Sequence, residues 1–342
     1  MFTKICYNDD KHTRWRIHAM RVRLFILLII VLLTSCTPQT YTPIEREQAV
    51  IGVVNMKEQS LSFIDYNTKK QLATWQVKQP ITKATLLPDG DTIVLFGQDM
   101  DEMIAYTLST GTETKRWNVD KGVTDVLATE RALLVVNEKK GTVSIMTFDG
   151  RVTDTIHTPP SPFTIVEDDK HRQWIVIHFK NGAISFIDWG TKQVKQTVDT
   201  LDSAVSGLVV TETDELWVGG HGGGATVQQE AFVHSLVDGR MIARVPAETM
   251  PIQFLQTEQS VYVLCHGSNM LYAFDPKTKR MTNALDIGAN PFAMTKAKNE
   301  IVIASYDSNE LVFVDEKTLK QTKTVPVGNG PFYVFFRDAK EE

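Results

Sequence analysis

Cysteine is scarce in this chain: Cys6, Cys36 and Cys265 are the only three in 342 residues. Cys6 and Cys36 flank an apolar run near the N-terminus and Cys265 lies far off in a strand-like stretch, Val261–Leu264, so three cysteines at such spacing make no disulfide framework. Positive charge is also in short supply. Residues 1–35 hold six basic and two acidic side chains; taken off the totals of 36 and 41, they leave 30 Lys and Arg against 39 Asp and Glu. A surplus of nine negative charges repels phosphate backbones, so nucleic acid is not an expected partner. Helical periodicity is missing after Cys36, where no stretch longer than a turn repeats apolar residues at i, i+3 and i+4. The motifs of common chemistries are missing too: no HExxH, no GxxxxGK[ST], no GxSxG and no Cys/His cluster. No catalytic constellation, metal or cofactor is therefore expected from motifs.

What is present begins with ten unbroken apolar residues, Leu24–Leu33, behind Arg21 and Arg23. A permanent span needs roughly 17–25 residues, so this run fits the h-region of a signal peptide. Asp9 and Asp10 are unusual in an n-region, and Met20 opens a tidier signal. Leu33-Thr34-Ser35-Cys36 follows at once and resembles the lipobox of bacterial lipoproteins. That resemblance implies a signal peptide over 1–35, cleavage before Cys36 and a diacylglycerol on its sulfur. The expected location is the extracytoplasmic face of the cell membrane, or an outer membrane in a diderm host. Residues 36–48 then form the lipidated terminus and a polar tether, Thr37–Glu47 carrying two prolines.

From residue 49 to 342 the chain repeats. Units ending at Asp65, Thr107, Thr147, Asp188, Leu236, Asp275 and Asp315 are 42, 40, 41, 48, 39 and 40 residues apart, the period of a four-stranded propeller blade. Each has an apolar strand, an alternating strand, a turn of Asp, Asn, Gly, Pro or Thr, and a polar-faced strand. The first unit opens at its second strand, Ala49–Asn55, and the chain ends on a spare inner strand, Pro331–Phe336. The expectation is an all-β, seven-bladed β-propeller closed by the C-terminal strand in blade 1. The recurring Asp65, Asp188, Asp275 and Asp315 read as turn caps. Phe63, Phe186, Phe232, Phe274 and Phe313 read as packing between blades.

Units such as IVIASYDSNELVFVDEKTLKQTKTVPVGNGPFYV resemble the YVTN-type repeat of exported YncE-like propellers, most clearly in blades 6 and 7. FIDYNTKKQLATWQV and YTLSTGTETKRWNV, with Trp75 and Trp117, are similar to quinoprotein-like repeats. Shared blades imply a shared fold and leave activity open.

In such a fold the loops before the inner strands and after the second strands gather on one rim. The first set is Gln79–Pro80, Pro159–Phe163, Met250–Ile252, Gly288–Phe292 and Gly328–Phe332; the second is Asn55, Gln98, Asn137, His178, His221, His266 and Tyr306. His178, His221 and His266 come from consecutive blades. Imidazoles on a rim suit a metal or an anion, but equivalent atoms of neighbouring blades are expected to lie too far apart to share one ion. Blade 5 carries the one sizeable insertion, Gly219–Gln229, whose Gly222 and Gly223 allow backbone shapes other residues resist. The candidate rim is thus His178, His221, Gly222, Gly223, His266 and Tyr306. The leading expectation is a non-enzymatic binding or scaffold lipoprotein that engages an envelope protein, peptide or glycan. The alternatives are a quinoprotein- or lactonase-like enzyme with a cofactor or metal at the channel mouth, and a haem-binding electron-transfer propeller.

Overall fold

The computed structural model describes residues 40–223 and 226–340. The expected signal peptide, the lipobox-like Leu33–Cys36, and Gly224 and Ala225 of the blade 5 insertion lie outside the described residues. The rest forms seven four-stranded antiparallel sheets arranged as a β-propeller. In six blades the strands follow chain order. Blade 1 instead runs Pro331–Arg337, Val50–Asn55, Ser60–Asp65, Gln71–Gln76. The C-terminal strand supplies its inner edge, with Val50 opposite Arg337 and Asn55 opposite Pro331.

Burial follows the sequence pattern. The second strand Val50–Asn55 and third strand Ser60–Asp65 are buried throughout, because each blade is covered on both faces by its neighbours. Outer strands show the two-residue alternation of a half-covered sheet, as in Gln193–Asp199. Phe63, Phe186, Phe274 and Phe313 are wholly or almost wholly buried, whereas Phe232 is half-buried. One apolar cluster joins Ile51, Ile64 and Val334 of blade 1 to Val302, Leu311 and Phe313 of blade 7, and so seals the ring. Cys265 is buried and free, and burial pushes its thiol pKa up to about 12.

The Asp turn caps are visible as bonds. Asp275 accepts from Thr278 N at 2.6 Å and Thr278 Oγ1 at 2.9 Å, and Asp65 and Asp315 repeat this with Thr68 and Thr318. Asp188 takes Thr191 N at 2.7 Å. These bonds to the ionised form hold Asp188, Asp275 and Asp315 below the usual carboxylate pKa. The same turn in blade 5 is closed at Ser235, whose carbonyl accepts from Gly239 N at 2.9 Å and whose hydroxyl accepts from Val237 N and Asp238 N. The blade 5 anchor is therefore Ser235, one residue before the expected Leu236, whose side chain is buried instead.

Residues 41–48, expected in the tether, pack on the propeller. Tyr41 stacks on Trp75 at 4.9 Å, Trp75 Nε1 donates to Thr42 O at 3.0 Å, and Ile44 is fully buried. Tyr41 N and Ile44 N donate to Gly111 O and Leu108 O, while Arg46 bridges to Asp91 at 2.7 Å. Arg337 donates to the carbonyls of Ile44, Glu45 and Gln48. The contacts to Leu108, Gly111, Asp91 and Arg337 are at the Arg337 end of the blades, whereas Trp75 lies level with Val54 and Tyr333, towards the Pro331 end where the rim loops are.

Candidate functional site

The inner strands that line the channel each open with a residue held near the rim. In three blades the sequence there is x-Pro-Phe, with the first residue left-handed: Ser161 (φ 59°), Asn290 (φ 56°) and Gly330 (φ 68°). Proline after such a residue fixes the turn into the strand. The next side chain, Phe163, Phe292 or Phe332, is left half-buried at the mouth.

These rings and the strand-end residues form a continuous arc. His221 and His266 meet edge to face with ring centroids 5.2 Å apart. His266 lies 4.9 Å from Phe292, which lies 5.2 Å from Tyr306 and 5.0 Å from Phe332. The Lys57 ammonium sits over Tyr306, 4.2 Å from its centre, and bridges Asp307 at 3.4 Å. Blades 5, 6, 7 and 1 thus share one aromatic and imidazole rim. It opens on a cavity of about 290 Å³ whose wall includes His221, Phe163, Ile252, Phe292 and Phe332.

The cavity floor is polar and internally matched. Asp125 takes the Lys83 ammonium at 3.2 Å, Thr164 Oγ1 at 2.5 Å and Ile165 N at 3.1 Å. Ser206 Oγ donates to Ile252 O at 2.6 Å, and Gln253 bonds both Met294 N and Met294 O. Each contact crosses from one blade to the next, so these groups tie the ring together. Apolar walls over a charge-matched floor make a surface suited to holding a ligand.

The candidate residues do not share one fate. His178 is fully buried, its Nδ1 against Pro160 O at 3.1 Å and its Nε2 against Ser185 Oγ at 2.9 Å. Its place on the binding rim is corrected: both nitrogens are spent inside blade 4, and burial lowers its pKa. His221, His266 and Tyr306 are brought together, contrary to the expectation that neighbouring blades separate their histidines. Burial and the neighbouring His266 lower the His221 pKa. The blade 5 glycines are used mainly for close packing. A side chain at Gly219 would strike Pro251 O and Phe254, and one at Gly220 would strike Ser203 O. Gly222 has φ +89°, and a side chain at Gly223 would meet Asp202. The insertion folds back on itself, with Gln228 N donating to His221 O at 3.0 Å and Met250 N to Gln228 O at 2.8 Å. It holds His221 in place.

Lys57, Asp307, Lys83 and Asp125 were not singled out from the sequence, and no local signal marks them. Phe163, Phe292 and Phe332 do carry a signal, the recurring x-Pro-Phe triplet. Among the described residues no group of three or more His, Cys, Asp or Glu could together hold a metal ion.

No protein-family profile and no curated protein sequence matches the chain. Solved structures do. A functionally unknown protein from Desulfotomaculum acetoxidans is similar at 12% identity and TM-score 0.68, over 85% of this chain and 99% of that one. Hydrazine synthase of Kuenenia stuttgartiensis is similar at 12% identity and TM-score 0.70, over 83% and 96%. Apo AztD from Citrobacter koseri is similar at 11% identity and TM-score 0.61, over 86% and 100%. At such identities the likeness is one of fold.

Proposed function

We propose that the protein is a lipid-anchored extracytoplasmic propeller, of the YVTN and YncE-like kind, that holds an envelope protein, peptide or glycan on the rim of blades 5, 6, 7 and 1. The observation that carries this reading is the unbroken arc from His221 through His266, Phe292 and Phe332 to Tyr306 and Lys57 at the cavity mouth. Half-buried aromatic faces with polar tips between them are the usual anchors of recognition surfaces. The lipobox-like Leu33–Cys36 supports the anchor.

The test places a photo-crosslinking amino acid at Phe332, and separately at the exposed Val152 on an outer strand. In intact cells, a defined adduct from position 332 and none from 152 is the expected outcome. Equal labelling from both would sink the rim reading. Lipid labelling of Cys36→Ala tests the anchor separately, with loss of label and an unprocessed precursor expected.

A further inference from the structure

His266 carries an orientation set by three partners. The Asp307 carboxylate only accepts hydrogen bonds, and it takes Asn290 Nδ2 at 3.0 Å while its other oxygen faces Lys57 at 3.4 Å. The Asn290 amide is therefore fixed with Oδ1 towards His266, where it meets Nδ1 at 2.8 Å. An amide oxygen cannot donate, so Nδ1 must carry the proton. In the neutral ring the lone pair is then on Nε2, and Nε2 is buried with no hydrogen-bond partner. The one other imidazole of the rim, His221, stands beside it with centroids 5.2 Å apart and planes at 87°.

We propose that His266 and His221 form a two-imidazole site for a borderline d-block cation of the zinc class, its remaining coordination positions open at the cavity mouth. Two imidazoles on one tetrahedral ion, with Zn–N of about 2.0–2.1 Å, have ring centroids about 5 Å apart. The spacing found matches. Ligating histidines commonly give their second N–H to an oxygen that fixes tautomer and orientation. The relay of Asn290, Asp307 and Lys57 does this for His266. Phe292 packs against His266 with ring centroids 4.9 Å apart and planes at 41°, which limits its rotation. His178 takes no part, because both its nitrogens are engaged. The site depends neither on the lipid anchor nor on any macromolecular partner, since all its residues belong to the propeller.

The experiment uses the mature chain, stripped by chelator and titrated with zinc chloride alone. One zinc per chain is expected. His266→Ala and His221→Ala should each weaken binding at least about ten-fold, and Asn290→Ala about ten- to a hundred-fold, the usual range for a ligand's supporting partner. His157→Ala, an exposed histidine on an outer strand, should bind as the unaltered protein does. Melting temperatures of all variants separate lost ligands from lost folding. Nitrogen-15 imidazole shifts of the unaltered protein give a reading free of mutation: His266 should be the Nδ1–H tautomer, and its Nε2 signal should move on adding zinc. Unmoved His266 and His221 signals, or full zinc binding by a folded His221→Ala/His266→Ala double variant, would overturn the proposal.

Discussion

Histidine ends the second strand of blade 4 and directly follows it in blades 5 and 6, and its surroundings make three different groups of one residue type. His178 is enclosed and bonded on both sides, His266 is oriented through one nitrogen, and His221 is held by the insertion behind it. His178 and also His234, bonded to Gly239 O at 3.0 Å and Thr200 Oγ1 at 3.0 Å, are buried with pKa values pulled below 6.5 by desolvation. Their neutral forms belong to the fold, so the unfolded chain binds more protons once the pH drops under about 6.5. Stability should be unaffected by these groups above that pH and fall as the pH is lowered from 6.5 through the depressed folded values, by at most about 1.4 kcal/mol per pH unit for each. Thermal melts from pH 7.5 to 5 check this, and His178→Gln should flatten the decline. An equally steep decline in the variant would remove His178 as a cause. Sequence reading places the three histidines at one level of the repeat, but the pairing sets His178 one residue earlier: it lies opposite Pro162 as Cys265 lies opposite Pro251, and Phe179 is the blade 4 counterpart of His221 and His266. A one-residue offset turns a side chain to the other face of its strand, and the apolar run around His178 does not reveal it.

At the scale of elements, the blades were legible because every one repeats the same burial pattern within a narrow period. Residues 41–48 were not, for a physical reason. The segment is short and proline-containing, with Tyr41 and Ile44 as its apolar residues, and these dock on groups far away in sequence. Trp75 bonds to it across 33 positions and Arg337 across 293. The blade 5 anchor slipped by one residue because Ser replaces Asp, and a hydroxyl caps the turn in place of a carboxylate. Asp91 is central to the docked segment: it takes Ser109 N at 2.9 Å, the Ser109 hydroxyl and Arg46, with the buried Arg337 at 3.7 Å. Asp91→Ala should cost about 3–5 kcal/mol, because it leaves the Arg337 charge buried without its carboxylate. Chemical denaturation measures this, and a loss under about 1 kcal/mol would place Arg337 in better contact with water than its burial indicates.

At the scale of the molecule, the chain's last strand decides whether there is a ring at all. Pro331–Arg337 pairs with Val50–Asn55 along its whole length, Phe335 lies over Gly52 where a side chain would collide with it, and Val334 joins the cluster shared with blade 7. Arg337 then collects three carbonyls of the docked segment, so both ends of the described chain are fixed at one point of the circle. Truncation after residue 330 removes Phe335 and Phe336 together with that arginine, and it exposes the edge of a buried strand. Loss of buried aromatics costs about 3–5 kcal/mol each, which is a large share of the roughly 5–15 kcal/mol by which most domains are stable. The truncated protein should aggregate or melt without a cooperative transition, and a synthetic peptide spanning 331–342 should restore the transition when added during refolding. Restoration by peptide separates closure from a general loss of hydrophobic surface, because only a strand in register with Val50–Asn55 can rebuild the Arg337 contacts. A truncated chain that melts like the complete one would mean that six full blades and three strands hold the circle without the closing pair.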